Sequence, residues 1–201
     1  MTEYKFKKIF SRIPTLKTEY LTLRKIDVSD YKDMYDYARR PEVTRYLLWD
    51  EHPNEKYTRR YLEFVQTQYR KGLFYDWGVI HRGDGRMIGT CGFTSVDIVN
   101  MRAEVGYVIN PDYRGNGFAG EALDAVLDFG FNVIGFHRIE AHYIVGNDDS
   151  RRVMEKCGMT FEGIMRDYME IKGRYRDIGI CSVLASEFIK KQDRQNKSDI
   201  G

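Results

Sequence analysis

The residues with the densest chemical content run Ala103-Glu-Val-Gly-Tyr-Val-Ile-Asn-Pro-Asp-Tyr-Arg-Gly-Asn-Gly-Phe-Ala119. Arg114-Gly-Asn-Gly117 places a cation beside two glycines at the point where a helix can begin. The unpaired N–H groups of a helix start and its dipole both favour an anion, most naturally a phosphate. Gly115 and Gly117 alone would be explained by a tight turn. Arg114 and the helix that follows turn the reading toward phosphate, because a side chain at position 117 would block close backbone approach. Glu104 is a lone carboxylate in an otherwise apolar strand. It is either a solvated outer-face residue or a general base that takes a proton directly or through one water.

Gly115-Asn-Gly117-Phe-Ala-Gly120 also spells G-x-G-x-x-G, and Glu140 follows about twenty residues later, as in a dinucleotide fold. Three features oppose that reading. The loop comes after more than a hundred residues, Pro111-Asp-Tyr-Arg114 separates the strand from the first glycine, and too little chain remains to finish a doubly wound sheet.

The elements that must position these residues are legible from periodicity. In the strand before the loop, Val105, Tyr107 and Ile109 share one face and Glu104, Gly106 and Val108 the other. Pro111 stops it. After the loop, Ala119, Ala122, Leu123, Val126, Leu127 and Gly130 recur at helical spacing. Upstream, residues 20–25 alternate like a strand. Ser29 or Asp30 can cap a helix over about 31–39 that Pro41 stops, and Asn54 can cap a second that Lys71-Gly72 ends. Residues 76–81 and 86–95 read as strands joined by Gly83-Asp-Gly85, a hairpin turn. Downstream follow a strand over 138–145, a short helix over 150–156 ended by Gly158, and strands over 161–171 and 174–186 around Lys172-Gly173. The tail from 190 is polar and expected to fray. This order predicts one α/β domain over 1–201, a mixed and mostly antiparallel sheet flanked by helices, with one parallel step across the glycine-loop helix.

Composition narrows the function classes. The chain has 201 residues, 42% hydrophobic and 31% charged, with a net charge of +2. That is an ordinary globular balance with no general polyanion-binding signature, so no nucleic acid is expected. No apolar run approaches the roughly 18 residues of a membrane helix. Lys5, Lys7 and Lys8 are followed by no apolar segment, so no secretory signal is read there. Cys91, Cys157 and Cys181 are odd in number and far apart, with no zinc spacing. A reduced cytoplasmic setting and no metal are expected. Cys91 and Cys157 read as buried thiols and not as acyl carriers, and His137 and His142 as structural residues.

Arg114, Gly117 and Ala119 fill the pattern R/Q-x-x-G-x-G/A, which resembles the acetyl-coenzyme A pyrophosphate loop of the GNAT superfamily of N-acetyltransferases. Asn147-Asp-Asp-Ser150-Arg-Arg-Val-Met-Glu-Lys-Cys-Gly158-Met-Thr-Phe-Glu-Gly163 resembles that family's second motif. Leu21-Thr-Leu-Arg24 followed by Asp30 resembles the opening of its ribosomal-protein alanine/serine N-terminal acetyltransferase branch. Together these blocks span about residues 20–186. The resemblance implies a GNAT-like sheet and an acetyl-CoA site formed by Tyr107, Val108, Ile109, Arg114, Gly115, Asn116, Gly117, Phe118, Ala119, Asn147 and Arg151. An N–H near Val108 or Ile109 would polarise the thioester carbonyl. An α-amine titrates at about 7.7–8.0 and a lysine at about 10.4, so the attacking nitrogen must lose a proton. The resemblance gives that task to Glu104.

The chain departs from a common family pattern at Met154, where many members carry a tyrosine acid, and at Gly158-Met159 in place of Gly-Phe. Ser150 is then the acid implied for the leaving thiolate, although Asn147 and Ser150 also fit an N-cap pair. The implied acceptor is an amine, either a protein N-terminus or a small molecule such as a polyamine or aminoglycoside. A non-catalytic acyl-CoA-binding module is the alternative of another class. The acceptor region is expected in the first 60 or so residues and in 172–176, with Tyr31, Tyr35, Tyr37 and Tyr46 lining it or simply packing. A homodimer is left open.

Overall fold

The structure is a computed structural model that describes residues 1–188. The expected tail lies outside the described residues. Eight strands form one sheet in the order β1-β2-β3-β4-β5-β6-β8-β7. They are β1 (Leu16–Lys17), β2 (Leu21–Arg24), β3 (Asp76–His81), β4 (Met87–Asp97), β5 (Arg102–Ile109), β6 (Arg138–Ile144), β7 (Thr160–Ile171) and β8 (Arg174–Leu184). Every pairing is antiparallel except β5 with β6, the step crossed by the glycine-loop helix, as expected from the sequence.

That parallel pair is short. β5 follows β4 along its whole length, but it meets β6 only over Arg102–Glu104 against Arg138–Glu140. Beyond Glu104 the two strands part, while β6 stays with β8 as far as Ile144. The sheet therefore has a fork, closed at Glu104 and open toward the glycine loop.

Among the described residues, six α-helices flank the sheet: α1 (Glu3–Ser11), α2 (Tyr31–Ala38), α3 (Pro41–Thr44), α4 (Glu55–Lys71), α5 (Phe118–Asp128) and α6 (Asp148–Lys156). One face carries α1, α5 and α6. Its core is aromatic: Phe6 and Phe10 of α1 pack on Tyr75 and Trp77, with Phe93 and Phe129 alongside. The other face carries α2 and α4, which bury Met34, Tyr37, Leu62, Val65 and Tyr69.

Several local expectations need correction. α1 was not foreseen. Pro41 does not simply end a helix but occupies the first turn of α3, where its missing N–H costs nothing. Asp30 is the N-cap residue of α2, as one of the two expected, but its side chain makes no capping bond to α2. Asp27 caps the 3₁₀ turn Val28–Asp30 before it and accepts the Ser29 N–H, while Asp30 accepts the Asp27 N–H and a bidentate pair from Arg24 at 2.7 and 2.8 Å. Asn54 and Gly72 cap α4 as expected. α6 begins at Asp148 and not at Ser150, and neither Asn147 nor Ser150 caps it, since the N-cap Asn147 makes no side-chain capping bond.

Candidate active site

The fork is lined with backbone as well as side chains. The Asn110 N–H is donated sideways to Ile88 O at 2.7 Å. N–H direction alternates along a strand, so Val108 also faces β4, whereas Tyr107 and Ile109 turn their N–H and C=O groups into the fork. Of the two N–H groups expected to polarise a carbonyl, that of Ile109 faces the fork and that of Val108 faces β4.

Below the fork the chain makes a 3₁₀ turn, Pro111–Tyr113, and enters the glycine loop. Gly115 and Gly117 hold φ of 83° and 82°, in the left-handed region that favours glycine. A Cβ at either position would point into open space, so the glycines serve backbone conformation and access, not packing. Gly117 is the N-cap of α5 and offers no side-chain cap, which leaves first-turn N–H groups for a ligand. The Asn116 amide folds back on Tyr113 O and Arg114 O at 3.2 and 3.3 Å. The turn is clamped from the link between α2 and α3: Arg40 makes two hydrogen bonds to Asp112, at 2.7 and 2.8 Å, and also reaches Asp36 of α2, which in turn accepts from buried Asn110.

A cavity of about 470 Å³ runs from the fork over this loop. Of the expected residues, Tyr107, Val108, Ile109, Arg114, Gly115, Gly117, Phe118, Ala119, Asn147 and Ser150 line it. Three do not. Asn116 is spent on the turn itself. Arg151, expected to bind the cofactor, pairs with Glu155 at 2.8 Å and stacks on Phe161. Glu104 lies at the closed end of the fork, where it lines a smaller recess of about 250 Å³ with Ser95, Arg102 and Glu140.

The cavity also has walls that the motif reading missed. Asp149, Arg152, Val153 and Lys156 form one face of α6; their i, i+3, i+4, i+7 spacing was the available signal. Glu42, Val43, Tyr46 and Leu47 form a roof. The Tyr46 hydroxyl donates to Gly146 O at 3.0 Å, and Lys172 Nζ donates to Thr44 O at 3.0 Å, so the α3 segment bridges the fork to the β6–α6 loop and the β7–β8 turn. Tyr46 thus belongs to the site, while Tyr37 is buried under α2.

A tyrosine does enter the site, from β5 and not from α6. Tyr107 Oη lies 2.9 Å from Ser150 O and 3.0 Å from Ser150 Oγ. Burial lifts this phenol well above its ordinary range, so it stays protonated and can donate. Met154, at the position where the family often has tyrosine, is buried.

His142 lies on β6 beside the fork. Its ring sits between two carboxylates at the closed end of the fork, Nδ1 3.5 Å from Glu104 and Nε2 3.6 Å from Glu140. Nε2 is nevertheless buried with no hydrogen-bond partner. All three cysteines are buried thiols outside any disulfide, Cys157 Sγ donates to Gly120 O at 3.5 Å, and burial pushes the Cys91 and Cys181 thiols up, away from the reactive thiolate. No helix among the described residues is long and apolar enough to cross a membrane, and none of their His, Cys, Asp and Glu side chains group to hold a metal.

The profile of the acetyltransferase (GNAT) domain matches residues 20–160. This chain belongs to that family. It is 34% identical over 174 residues to the uncharacterised N-acetyltransferase p20 of Bacillus licheniformis, covering 87% of this chain and 98% of that protein. It is 25% identical over 173 residues to the spermidine N(1)-acetyltransferase of Vibrio cholerae, covering 86% and 98%. The structure of a GNAT-family acetyltransferase from Bacillus anthracis superposes with a TM-score of 0.78 at 28% identity, covering 87% of this chain and all of that one. The protein is a GNAT N-acetyltransferase, a coenzyme A-dependent acyltransferase by class.

Proposed function

We propose that this acetyltransferase takes acetyl-CoA as donor substrate and transfers the acetyl group directly to a primary amine in a ternary complex. The observation that carries the reading is the fork, which opens from Glu104 into a cavity floored by the capless N-terminus of α5. Arg114 and the N–H groups of the glycine loop would hold the pyrophosphate, and Tyr107 and Ile109 would pair with the pantetheine arm through their backbone. The donor supplies a thioester carbonyl. The amine nitrogen forms a bond to that carbon, the carbon–sulfur bond breaks, and the thiol and the amide leave.

Glu104 would accept the amine's proton, directly or through one water, and His142 beside it would steer its carboxylate. The Ile109 N–H would stabilise the developing oxyanion. Ser150, whose hydroxyl lies 3.0 Å from that of Tyr107, would return a proton to sulfur; a thiol titrates at about 8.5, so that help is minor. Two acceptor classes are supported: a protein N-terminal α-amine, from the resemblance of residues 21–30 to the ribosomal-protein branch, and a small polyamine, from the likeness to the V. cholerae enzyme.

Incubation with acetyl-CoA and a panel of peptides and amines, read by mass spectrometry, tests this reading. An acetylated amine and free coenzyme A are expected. Coenzyme A binding without transfer to any amine would leave a binding module, and absence of both would refute the reading.

A further inference from the structure

The Tyr107 side chain runs from β5 to the first turn of α6, and both Tyr107 and Ser150 line the large cavity. Among the described residues the Tyr107 hydroxyl has two hydrogen-bond partners, and both belong to Ser150: the carbonyl oxygen at 2.9 Å and Oγ at 3.0 Å. A carbonyl only accepts, whereas either hydroxyl can donate to the other. Two arrangements of the same heavy atoms follow. In the first, the phenol donates to Ser150 O and the serine hydroxyl donates to the phenol oxygen, so neither hydrogen points into the cavity. In the second, the phenol donates to Ser150 Oγ, and the serine hydrogen turns into the cavity. Only two hydroxyl hydrogens rotate between them, because both acceptors lie within 3.0 Å of the phenol oxygen.

Acidity decides what this pair can do. Burial holds the phenol well above its ordinary value of about 10, while a thiol titrates at about 8.5. A departing thiolate is therefore too weak a base to take the phenol's proton. It can still accept a hydrogen bond, and hydrogen bonds to charged groups are the stronger ones. A serine hydroxyl that accepts from a phenol behind it is also a better donor in front, since linked hydrogen bonds polarise one another.

We propose that Tyr107 is a positioning residue for the leaving sulfur and acts through Ser150. Negative charge on sulfur selects the second arrangement, and the hydrogen bonds then run from phenol to serine to thiolate. This rests on the reading of the cavity as the donor site. When the carbon–sulfur bond breaks, its electron pair goes to sulfur and neither O–H bond is broken. Any proton that Ser150 returns to sulfur follows that step. The site therefore holds the thiolate form of coenzyme A in preference to the thiol.

The test needs no acceptor. Calorimetry on the whole protein compares coenzyme A with desulfo-coenzyme A, which lacks the thiol, from about pH 6.5 to 9.5, a window that brackets the free thiol. A site that prefers the thiolate makes the bound thiol titrate below the free one. The affinity ratio of coenzyme A to its desulfo analogue should then rise with pH and level off above the free value. A rise of about tenfold is expected, the yield of one hydrogen bond to a charge. Tyr107→Phe, which removes only the hydroxyl, should lose most of that rise. Ser150→Ala, at a partly exposed position, should lose all of it and carries the test should the first variant not fold. A purely structural Tyr107 would weaken both ligands alike at every pH. A flat or falling ratio in the wild type, or an undiminished rise in Tyr107→Phe, would overturn the assignment. Absence of binding by either ligand would refute the donor site, and the assignment with it. In acetyl transfer, each single variant should lower kcat by about tenfold and the double variant no further, because the two hydroxyls act as one unit. Losses that multiply in the double variant would overturn it.

Discussion

Glu104 stands at the closed end of the fork, within 3.5 Å of His142 and outside the large cavity. In the proposed function a group there would meet the acceptor amine and not the donor's phosphates. Glu104→Gln should therefore lower kcat by about 10²–10⁴-fold and leave the Kd for acetyl-CoA nearly unchanged, with the pH–rate profile losing the enzyme's limb. Equal rates and an unchanged profile, in an assay limited by chemistry, would make Glu104 a bystander. Asp76 gives a second residue-scale expectation, one of stability. Its folded carboxyl is raised from 3.8 to about 7 by burial, against weaker help from Thr90 and the Trp77 N–H. Below the ordinary value both folded and unfolded chains are protonated and nothing is lost. Between about pH 4 and 7 the unfolded chain ionises first, so stability falls as pH rises, by up to about 4 kcal/mol. Asp76→Asn removes this slope. Urea unfolding at about pH 5 and pH 8 should show the variant gaining on the wild type at the higher pH. A constant difference would mean that the carboxyl is not held protonated.

At the scale of elements, the proposed site depends on how α2 and its link to α3 hold the turn between β5 and α5. Arg40 reaches Asp112 and Asp36 together, and the Asp36 carboxylate also anchors buried Asn110. Arg40→Ala should loosen the 111–117 segment. We expect a several-fold higher Kd for acetyl-CoA, with kcat little changed at saturation and a stability loss of about 1–3 kcal/mol. Steady-state kinetics and thermal unfolding read both. The legibility of the sequence follows the same division. β5 and α5 were readable because Val105, Tyr107 and Ile109 alternate and Ala122, Leu123, Val126 and Leu127 recur at helical spacing, each a local signal. α1 was not, because Phe6 and Phe10 are its only buried residues in a lysine-rich stretch, and their partners Tyr75 and Trp77 are some seventy residues away. The loop glycines were found by motif. The roof from α3 and the Tyr107–Ser150 contact are tertiary, with no spacing in sequence to announce them.

At the scale of the whole molecule, the proposed donor site lies where one sheet parts into the fork. The large cavity enters the fork from the glycine-loop end, between α3 and α6. The most direct test of this arrangement is calorimetric titration of acetyl-CoA into the wild type and a folded Gly117→Glu variant. A side chain at 117 would place a carboxylate among the N–H groups that start α5, where the pyrophosphate must lie. The wild type should bind with one site per chain, and the variant should show no binding with its circular dichroism unchanged. Equal affinity in the two proteins would contradict the donor site, and with it the reading of the fork as the place where acetyl transfer occurs.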